Sequence, residues 1–309
     1  MNLKNYTQEK LYGLNEYFNE LVYLFDKEIL PNKILLSGSK GIGKSTLAYH
    51  FINYVLSSDE KFQYDLNNFK INKENKSYKL ILNGTLPNFQ LIDVKDERKK
   101  IDIEQIRNLI LYSIKSSFNQ KPRFILIDNI EKLNKNAVNA LLKVLEEPNL
   151  GVHFILINNN KKVLSTLKSR CLEFKIHITH QNSIDITNKI LGINILKEIN
   201  SELLNFYQSP GTLCSIYYFS KEYKIDLKNL TLKNLLEKII YDKLYKKNDL
   251  IKIITMEYVE MYFLKKIYST NNNMFNLYSY FIKYLRNINR YNLDEESFFI
   301  EFKSKVLDG

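Results

Sequence analysis

The sequence has 309 residues, of which 45% are hydrophobic and 26% are charged, and its formal net charge is +11. This length predicts two or three domains, and this composition is that of a soluble globular protein, which excludes a largely disordered chain. The positive charge fits either a polyanionic partner such as nucleic acid or a lysine-rich composition without a local patch.

No apolar run reaches membrane-spanning length, and the first residues lack the apolar core of a signal peptide. We therefore expect a cytoplasmic protein with no membrane partner. The two cysteines, Cys171 and Cys214, lie far apart, and neither they nor the four histidines have zinc-ligand spacing. We expect no disulfide framework and no zinc.

The N-terminal part predicts a helix, a strand and a second helix in that order. Apolar residues at helical spacing predict a helix over 7–29, which Pro31 ends. The apolar run Ile34–Leu36 predicts a strand, and a helical pattern then continues to about Leu56. Residues 57–77 are polar and rich in Asn and Lys, and we interpret them as a surface insertion.

A phosphate-binding loop joins this strand to the second helix. Residues 38–45 read GSKGIGKS, which matches the P-loop pattern G-x-x-x-x-G-K-[ST] in the strand–loop–helix setting that the pattern requires. In such a loop the glycines let N–H groups face phosphate oxygens, the lysine reaches the β- and γ-phosphates, and the serine hydroxyl binds Mg²⁺. We predict a site for ATP with Mg²⁺, whose candidate residues are Gly38, Gly41, Gly43, Lys44, Ser45 and Thr46.

The next segment predicts two short strands and a helix. Tyr78–Leu82 and Phe89–Ile92 are strand candidates on either side of an Asn-Gly turn. Asp102 followed by Gln105 at the third helical position predicts a capping box that opens a helix.

The continuous apolar run Phe124–Ile127 predicts a strand that is buried on both faces of a parallel sheet, and Val152–Ile157, which includes His153, has a similar buried-strand pattern. A helix capped by Asn134 separates them, and Lys161–Lys168 predicts a short helix. This alternation predicts an α/β sheet with a crevice at the carboxyl ends of its strands. From about residue 180 only helical patterns follow, over 183–191, 201–208, 211–220, 231–246, 249–267, 273–288 and 295–306.

The residues after the strand Phe124–Ile127 bear on hydrolysis. Asp128 has the position of a Walker B aspartate, which would hold Mg²⁺, although an acidic cap or turn residue would give the same pattern. Asn129 follows, whereas hydrolytic P-loop motors place a carboxylate there to activate the attacking water. Loss of a general base slows a reaction by about 10²–10⁴-fold. Glu131 replaces that carboxylate only if the chain bends after Ile127.

Polar residues beyond the strand Val152–Ile157 complete the candidate set. Asn158 and Asn159 either bind phosphate or water or make a turn, and we take Asn158 as the candidate nucleotide ligand. Arg170, in the triplet Ser-Arg-Cys, either reaches the γ-phosphate held by a neighbouring subunit or is a surface arginine. Spacing alone favours the surface arginine.

Three segments together resemble the clamp-loader branch of the AAA+ ATPases, and within that branch the delta-prime type of bacterial DNA polymerase III subunit. They are the P-loop segment Leu36–Leu47, the run Asn139–Pro148 (NALLKVLEEP) and the triplet Ser169–Cys171. The resemblance implies that Arg170 acts in trans on ATP bound by an adjacent motor subunit.

The same resemblance implies an α/β, RecA-like AAA+ P-loop domain with a parallel sheet over 1–178. A small helical lid over 179–230 and an all-α collar over 231–309 would follow. The collar would hold the chain in a hetero-oligomeric ring of clamp-loader subunits. Through that assembly the chain would meet the sliding clamp and primer–template DNA.

The sequence departs from the family's motor subunits at two positions. Those subunits carry Asp-Glu where this chain has Asp128-Asn129, and an arginine where it has Thr212. We therefore predict a stationary, delta-prime-like subunit that binds ATP, has weak or no ATPase activity of its own, and donates Arg170. The alternative is a hydrolytically active motor subunit of the gamma/tau type, or a related DNA-repair ATPase, that uses Glu131. An unrelated P-loop kinase fits less well, because no lid arginines follow the loop and the second half is helical.

Overall fold

The computed structural model describes most of the chain as two compact units. One unit comprises Met1–Ile186 with Ser209–Gly211, and the other comprises Thr187–Gln208 with Thr212–Gly309. The lid and collar boundary near residue 230 stays a prediction. The described residues are 7–94, 100–115, 119–204, 207–247, 249–267, 272–291 and 293–308.

The first unit is built on a parallel sheet. Its strands are β1 (Lys33–Ser37), β2 (Phe89–Ile92), β3 (Arg123–Ile127), β4 (Val152–Asn158) and β5 (Leu172–Lys175), in the spatial order β2-β3-β4-β1-β5. The P-loop strand β1 therefore lies between β4 and β5, and every neighbouring pair runs parallel. The register pairs Ile92 with Ile127, and Ser37 with Asn158, so the residues that follow these strands meet at one edge. The predicted α/β parallel sheet is confirmed.

Helices connect and cover the strands. Asp102 and Gln105 form the predicted capping box, and Asn134 accepts a 2.8 Å hydrogen bond from the backbone N–H of Ala137. The helices of the first unit are α1 (Asn15–Asp26), α2 (Lys44–Leu56), α3 (Lys76–Leu82), α4 (Ile103–Ile114), α5 (Lys135–Glu146), α6 (Ser165–Lys168) and most of α7 (His180–Leu191).

The strand predicted at Tyr78–Leu82 is wrong, because these residues form helix α3. The side chain of Asn75 caps the helix by accepting a 2.8 Å hydrogen bond from the N–H of Tyr78. The Glu60 carboxylate accepts from the N–H groups of Lys76 and Ser77, at 2.7 and 3.0 Å. Together these acceptors satisfy N–H groups that a helix leaves without intrahelical partners.

Other element boundaries differ from the sequence prediction. Helix α1 begins at Asn15, because the residues before it pair with the insertion: the N–H of Leu11 donates to Phe69 and the N–H of Ile71 donates to Glu9. Helix α6 covers only Ser165–Lys168, and strand β5 was not predicted. The insertion itself packs onto the unit, since Tyr64 and Ile71 are buried.

The second unit has no strand among its described residues, as predicted. Four phenylalanines without solvent exposure lie at its centre, with ring centroids 5.6 to 5.7 Å apart where they touch Phe281. They are Phe263, Phe281, Phe298 and Phe302. The helices are α8 (Ile195–Glu198), α9 (Pro210–Glu222), α10 (Leu232–Tyr241), α11 (Asp249–Ile267), α12 (Asn272–Tyr291) and α13 (Glu295–Phe302), and a π-helical turn follows over Lys303–Leu307. No helix in the described part of the chain is long and apolar enough to cross a membrane.

Candidate nucleotide-binding site

The P-loop connects β1 to α2 through backbone conformations that favour glycine. Gly43 precedes the first helical residue with φ +93°, and Gly41 has φ +81°. L-residues rarely adopt such angles, whereas glycine does so readily. The loop thus leads directly into the N-terminus of α2, whose unpaired N–H groups and positive dipole end favour an anion.

Lys44 is held at this loop by backbone carbonyls. Its ammonium group donates to the carbonyl oxygens of Gly38 and Ser39, at 2.8 and 2.7 Å, and the residue is only 4% exposed. Burial lowers the pKa of Lys44 to about 8, and the carboxylates of Asp128 and Glu131 oppose that shift. The structure thus brings the P-loop lysine and both acidic residues together.

Asp128 follows β3 and is buried beside α2. The Ser45 hydroxyl donates a hydrogen bond to its carboxylate, and the backbone N–H of Asn129 donates to its Oδ1 at 2.8 Å. Burial, and then the nearby carboxylate of Asp93, raise the pKa of Asp128 to about 6. Ser45 and Asp128 are adjoining oxygen donors of the kind that Mg²⁺ prefers, so they fit the predicted ion. Bound Mg²⁺ would neutralise phosphate charge there.

The side chain of Asn129 links the ends of three neighbouring strands. Its Nδ2 donates to Oδ1 of Asp93, the residue after β2, at 2.7 Å. Its Oδ1 accepts from Nδ2 of Asn159, the residue after β4, at 2.8 Å. Asp93 is a site residue that the sequence interpretation missed. The available signal was that a carboxylate directly follows a predicted strand.

Glu131 also faces this cluster. Asn129 has φ +57° and residues Ile130–Lys132 form one 3₁₀ turn, so the chain does bend after β3. Oε1 of Glu131 accepts from Nδ2 of Asn159 at 3.0 Å. Oε2 is buried and has no hydrogen-bond partner in the described part of the chain. Glu131 is therefore part of the site.

Asn158 and Asn159 have different surroundings. The amide of Asn158 closes a turn: its Nδ2 donates to the carbonyl of Lys161 at 3.1 Å, and its Oδ1 accepts from the N–H of Lys161 at 3.2 Å. Its backbone carbonyl accepts from the N–H of Gly38 at 3.2 Å. Asn159 rather than Asn158 contacts the residues around Asp128. The role of Asn158 as a nucleotide ligand stays a prediction, as does that of Thr46 in the first turn of α2.

The segment Ser209–Gly211 packs directly on the tip of the P-loop. The N–H of Gly211 donates to the carbonyl of Gly41 at 2.9 Å. A Cβ on Gly211 would lie 2.8 Å from that carbonyl oxygen, and a Cβ on Gly41 would lie 2.4 Å from Oγ of Ser209. Both distances are too short for an atom contact, so this approach needs glycine at both positions.

Arg170 lies just after α6, with a partly exposed guanidinium. Its Nη1 donates to the carbonyl of Thr166 at 2.7 Å, and its Nη2 pairs with Oε1 of Glu146 at 2.6 Å. The side chain is 30% exposed, and that of Glu146 is 55% exposed. Arg170 is therefore accessible at the surface of its unit.

The chain is similar to known proteins in sequence and in fold. The sequence model of the family described as DNA polymerase III, delta subunit, matches residues 13–180. The DNA polymerase III subunit delta' of Pseudomonas aeruginosa is 31% identical over 45% of this chain and 41% of that protein. The subunit gamma of Buchnera aphidicola subsp. Schizaphis graminum is 29% identical over 66% of this chain and 54% of that protein. The chain thus spans about half the length of these two relatives.

A longer match is the subunit delta' of Buchnera aphidicola subsp. Schizaphis graminum, 26% identical over 88% of this chain and 84% of that protein. Among solved structures, a DNA polymerase III gamma subunit-related protein from Thermotoga maritima has a TM-score of 0.55 at 16% identity. The alignment covers 93% of this chain and 97% of that one. That likeness supports the fold alone. Because the family match covers more than half of the sequence, the chain belongs to the DNA polymerase III delta subunit family.

Proposed function

We propose that this chain is a delta-prime-like, stationary subunit of a bacterial replicative clamp loader. It binds ATP with Mg²⁺ in its own P-loop, hydrolyses it weakly or not at all, and donates Arg170 to ATP held by a neighbouring subunit. Its partners are the other loader subunits and, through the assembly, the sliding clamp and primer–template DNA. Family membership and the relatives named delta' support this assignment.

One observation carries the claim of weak hydrolysis. The position beside Asp128 holds the amide of Asn129, which is hydrogen-bonded on both sides, by Asp93 and by Asn159. An amide does not accept a proton at neutral pH, so it cannot serve as the general base for an attacking water. The P-loop lysine lies near Asp128, as a nucleotide site requires, whereas position 129 lacks the carboxylate that would activate water.

A second candidate function is a hydrolytically active motor subunit of the gamma/tau type. Glu131 favours it, because this carboxylate faces the site with one oxygen bonded to Asn159 and the other buried without a described partner. Under this candidate, Glu131 replaces the carboxylate missing at position 129. Glu131→Gln would then abolish turnover while nucleotide binding persists.

The test measures binding and turnover on the purified chain. Mg·ATP at 100 times its Kd should stabilise the chain by about 2.7 kcal/mol, seen as a rise in Tm. Lys44→Ala should remove that rise, whereas Lys76→Ala, which changes the exposed first residue of another helix, should keep it. ATP turnover should be negligible. Turnover of several per second that Glu131→Gln abolishes would replace the first candidate with the second.

A further inference from the structure

Asn129 has only one amide orientation that satisfies its neighbours. The Asp93 carboxylate is a hydrogen-bond acceptor, so the Asn129 nitrogen must face it across the 2.7 Å contact. The Asn129 oxygen then faces the amide nitrogen of Asn159 at 2.8 Å. Asp93 also accepts from the backbone N–H of Val94, which fixes its carboxylate at the end of β2. The Asp93 carboxylate therefore requires a hydrogen-bond donor from the side chain at position 129.

We propose that Asp93 excludes a carboxylate from position 129 and thereby keeps this site from activating water. This inference rests on the proposed function, because it explains why a P-loop site would bind nucleotide without cleaving it. The carboxylate and the amide at these two neighbouring strand ends are placed so that catalysis is prevented. The carboxylate lies at 93, after β2. The amide lies at 129, after β3, which is the position where a carboxylate would activate water.

The charges around position 129 support the exclusion. Asp93 and the buried Asp128 already place two carboxylates in contact with residue 129, so a third carboxylate there would add like charge. Replacing the Asn129 nitrogen by oxygen would turn a hydrogen bond into a repulsive contact of similar length. Glu131 approaches the same cluster from the other side, through Asn159. We therefore expect a carboxylate at 129 to fit this site only when residue 93 carries an uncharged side chain, as in Asp93→Asn.

The test is a set of variants in the full chain that exchange the two groups. Asn129→Asp, which preserves shape, should lower the Tm by roughly 4 °C, because two carboxylates then face each other. Adding Asp93→Asn should recover at least half of that loss, since a donor again faces an acceptor. Recovery is partial because both contacts of residue 93 fall on its Oδ1 position. The new amide would need its nitrogen there to face the carboxylate introduced at position 129 and its oxygen there to accept from the N–H of Val94. As a matched control, Asp185→Asn changes an exposed aspartate on α7 and should recover nothing.

Turnover gives a second readout. Asn129→Glu in the Asp93→Asn background should hydrolyse Mg·ATP at least about tenfold faster than Asn129→Glu alone, as expected for a newly placed general base. Equal rates in the two backgrounds, including no hydrolysis in either, would overturn the proposal. A wild-type Tm for Asn129→Asp would overturn it as well. Failure of the wild-type chain to bind Mg·ATP would refute the proposed function instead, because the Tm comparison needs no nucleotide.

Discussion

Arg170 is the residue through which this chain would act on a neighbour, and the structure shows how its guanidinium is held. The carbonyl of Thr166 accepts from its Nη1, and the carboxylate of Glu146 accepts from its Nη2. Glu146 belongs to the run NALLKVLEEP, so two segments that carried the family resemblance meet at this ion pair. An exposed ion pair contributes only about 0–1 kcal/mol to folding, so we infer that Glu146 serves to position Arg170.

Glu146→Gln should therefore impair the positioning of Arg170 while leaving the stability of the chain almost unchanged. The free energy of unfolding should change by less than about 1 kcal/mol, because the pair is partly exposed. ATP turnover of the assembled loader should fall, though less than with Arg170→Ala, since the arginine remains but loses one of its two contacts. Glu147→Gln changes the adjacent glutamate and serves as the control. A Glu146→Gln loader with wild-type turnover would refute the positioning role.

Which residues lie together at the site could be predicted where a motif names them, but not where strand order decides. Lys44, Ser45 and Asp128 follow from their motifs, and the structure brings them together. Asp93 was missed, because its contact with Asn129 exists only since β2 lies beside β3 in the sheet. That neighbour relation is not visible along the chain.

Helix α2 carries the P-loop residues at one end and a buried histidine near its middle. His50 has no solvent exposure. Its Nε2 faces the carbonyl of Gln8 at 3.0 Å, and its Nδ1 faces the Tyr64 hydroxyl at 2.8 Å. A carbonyl only accepts, so Nε2 carries the proton and Nδ1 accepts from Tyr64. His50 thus ties the N-terminal segment and the insertion to the helix that holds the nucleotide site.

The state of His50 should make stability depend on pH. Burial lowers the pKa of His50 from 6.5 to about 4, so the unfolded chain binds the proton first as the pH falls. The contribution of neutral His50 to the free energy of unfolding is therefore complete above pH 6.5 and is lost as the pH falls toward 4. At pH 5 the loss is about 2 kcal/mol. Urea unfolding at pH 7 and pH 5 measures this loss. It should disappear in His50→Gln and persist in His180→Gln, and an equal loss in all three chains would contradict the assignment.

At the element level, buried strands were easier to predict than the short segments between them. The apolar runs at β3 and β4 are long enough to indicate strands without any partner. Tyr78–Leu82 has a similar composition, yet forms helix α3, because Asn75 and Glu60 supply acceptors for its first N–H groups. Glu60 lies 16 residues before Lys76, so this cap is not a local sequence pattern.

At the scale of the whole molecule, the division into a sheet-containing unit and a helical unit follows from hydrophobic periodicity. The predicted strands end one strand before the sheet does, because β5 was not predicted, and the later helical patterns match α9 to α13 closely. The phenylalanine cluster around Phe281 explains why that part of the sequence is rich in aromatic residues, since these rings fill the core of the second unit. That this chain takes a place in a ring of clamp-loader subunits remains a proposal.

The most direct test of the central claim is ATP turnover and clamp loading by the loader reconstituted with its motor subunits and Arg170→Ala in this chain. Arg107→Ala, an exposed arginine on α4 of the same unit, is the matched control. The account predicts that hydrolysis at the neighbouring site falls by roughly 10³-fold and that clamp loading is lost, while this chain alone shows negligible ATPase activity. Turnover and loading that match the wild type and Arg107→Ala would contradict it.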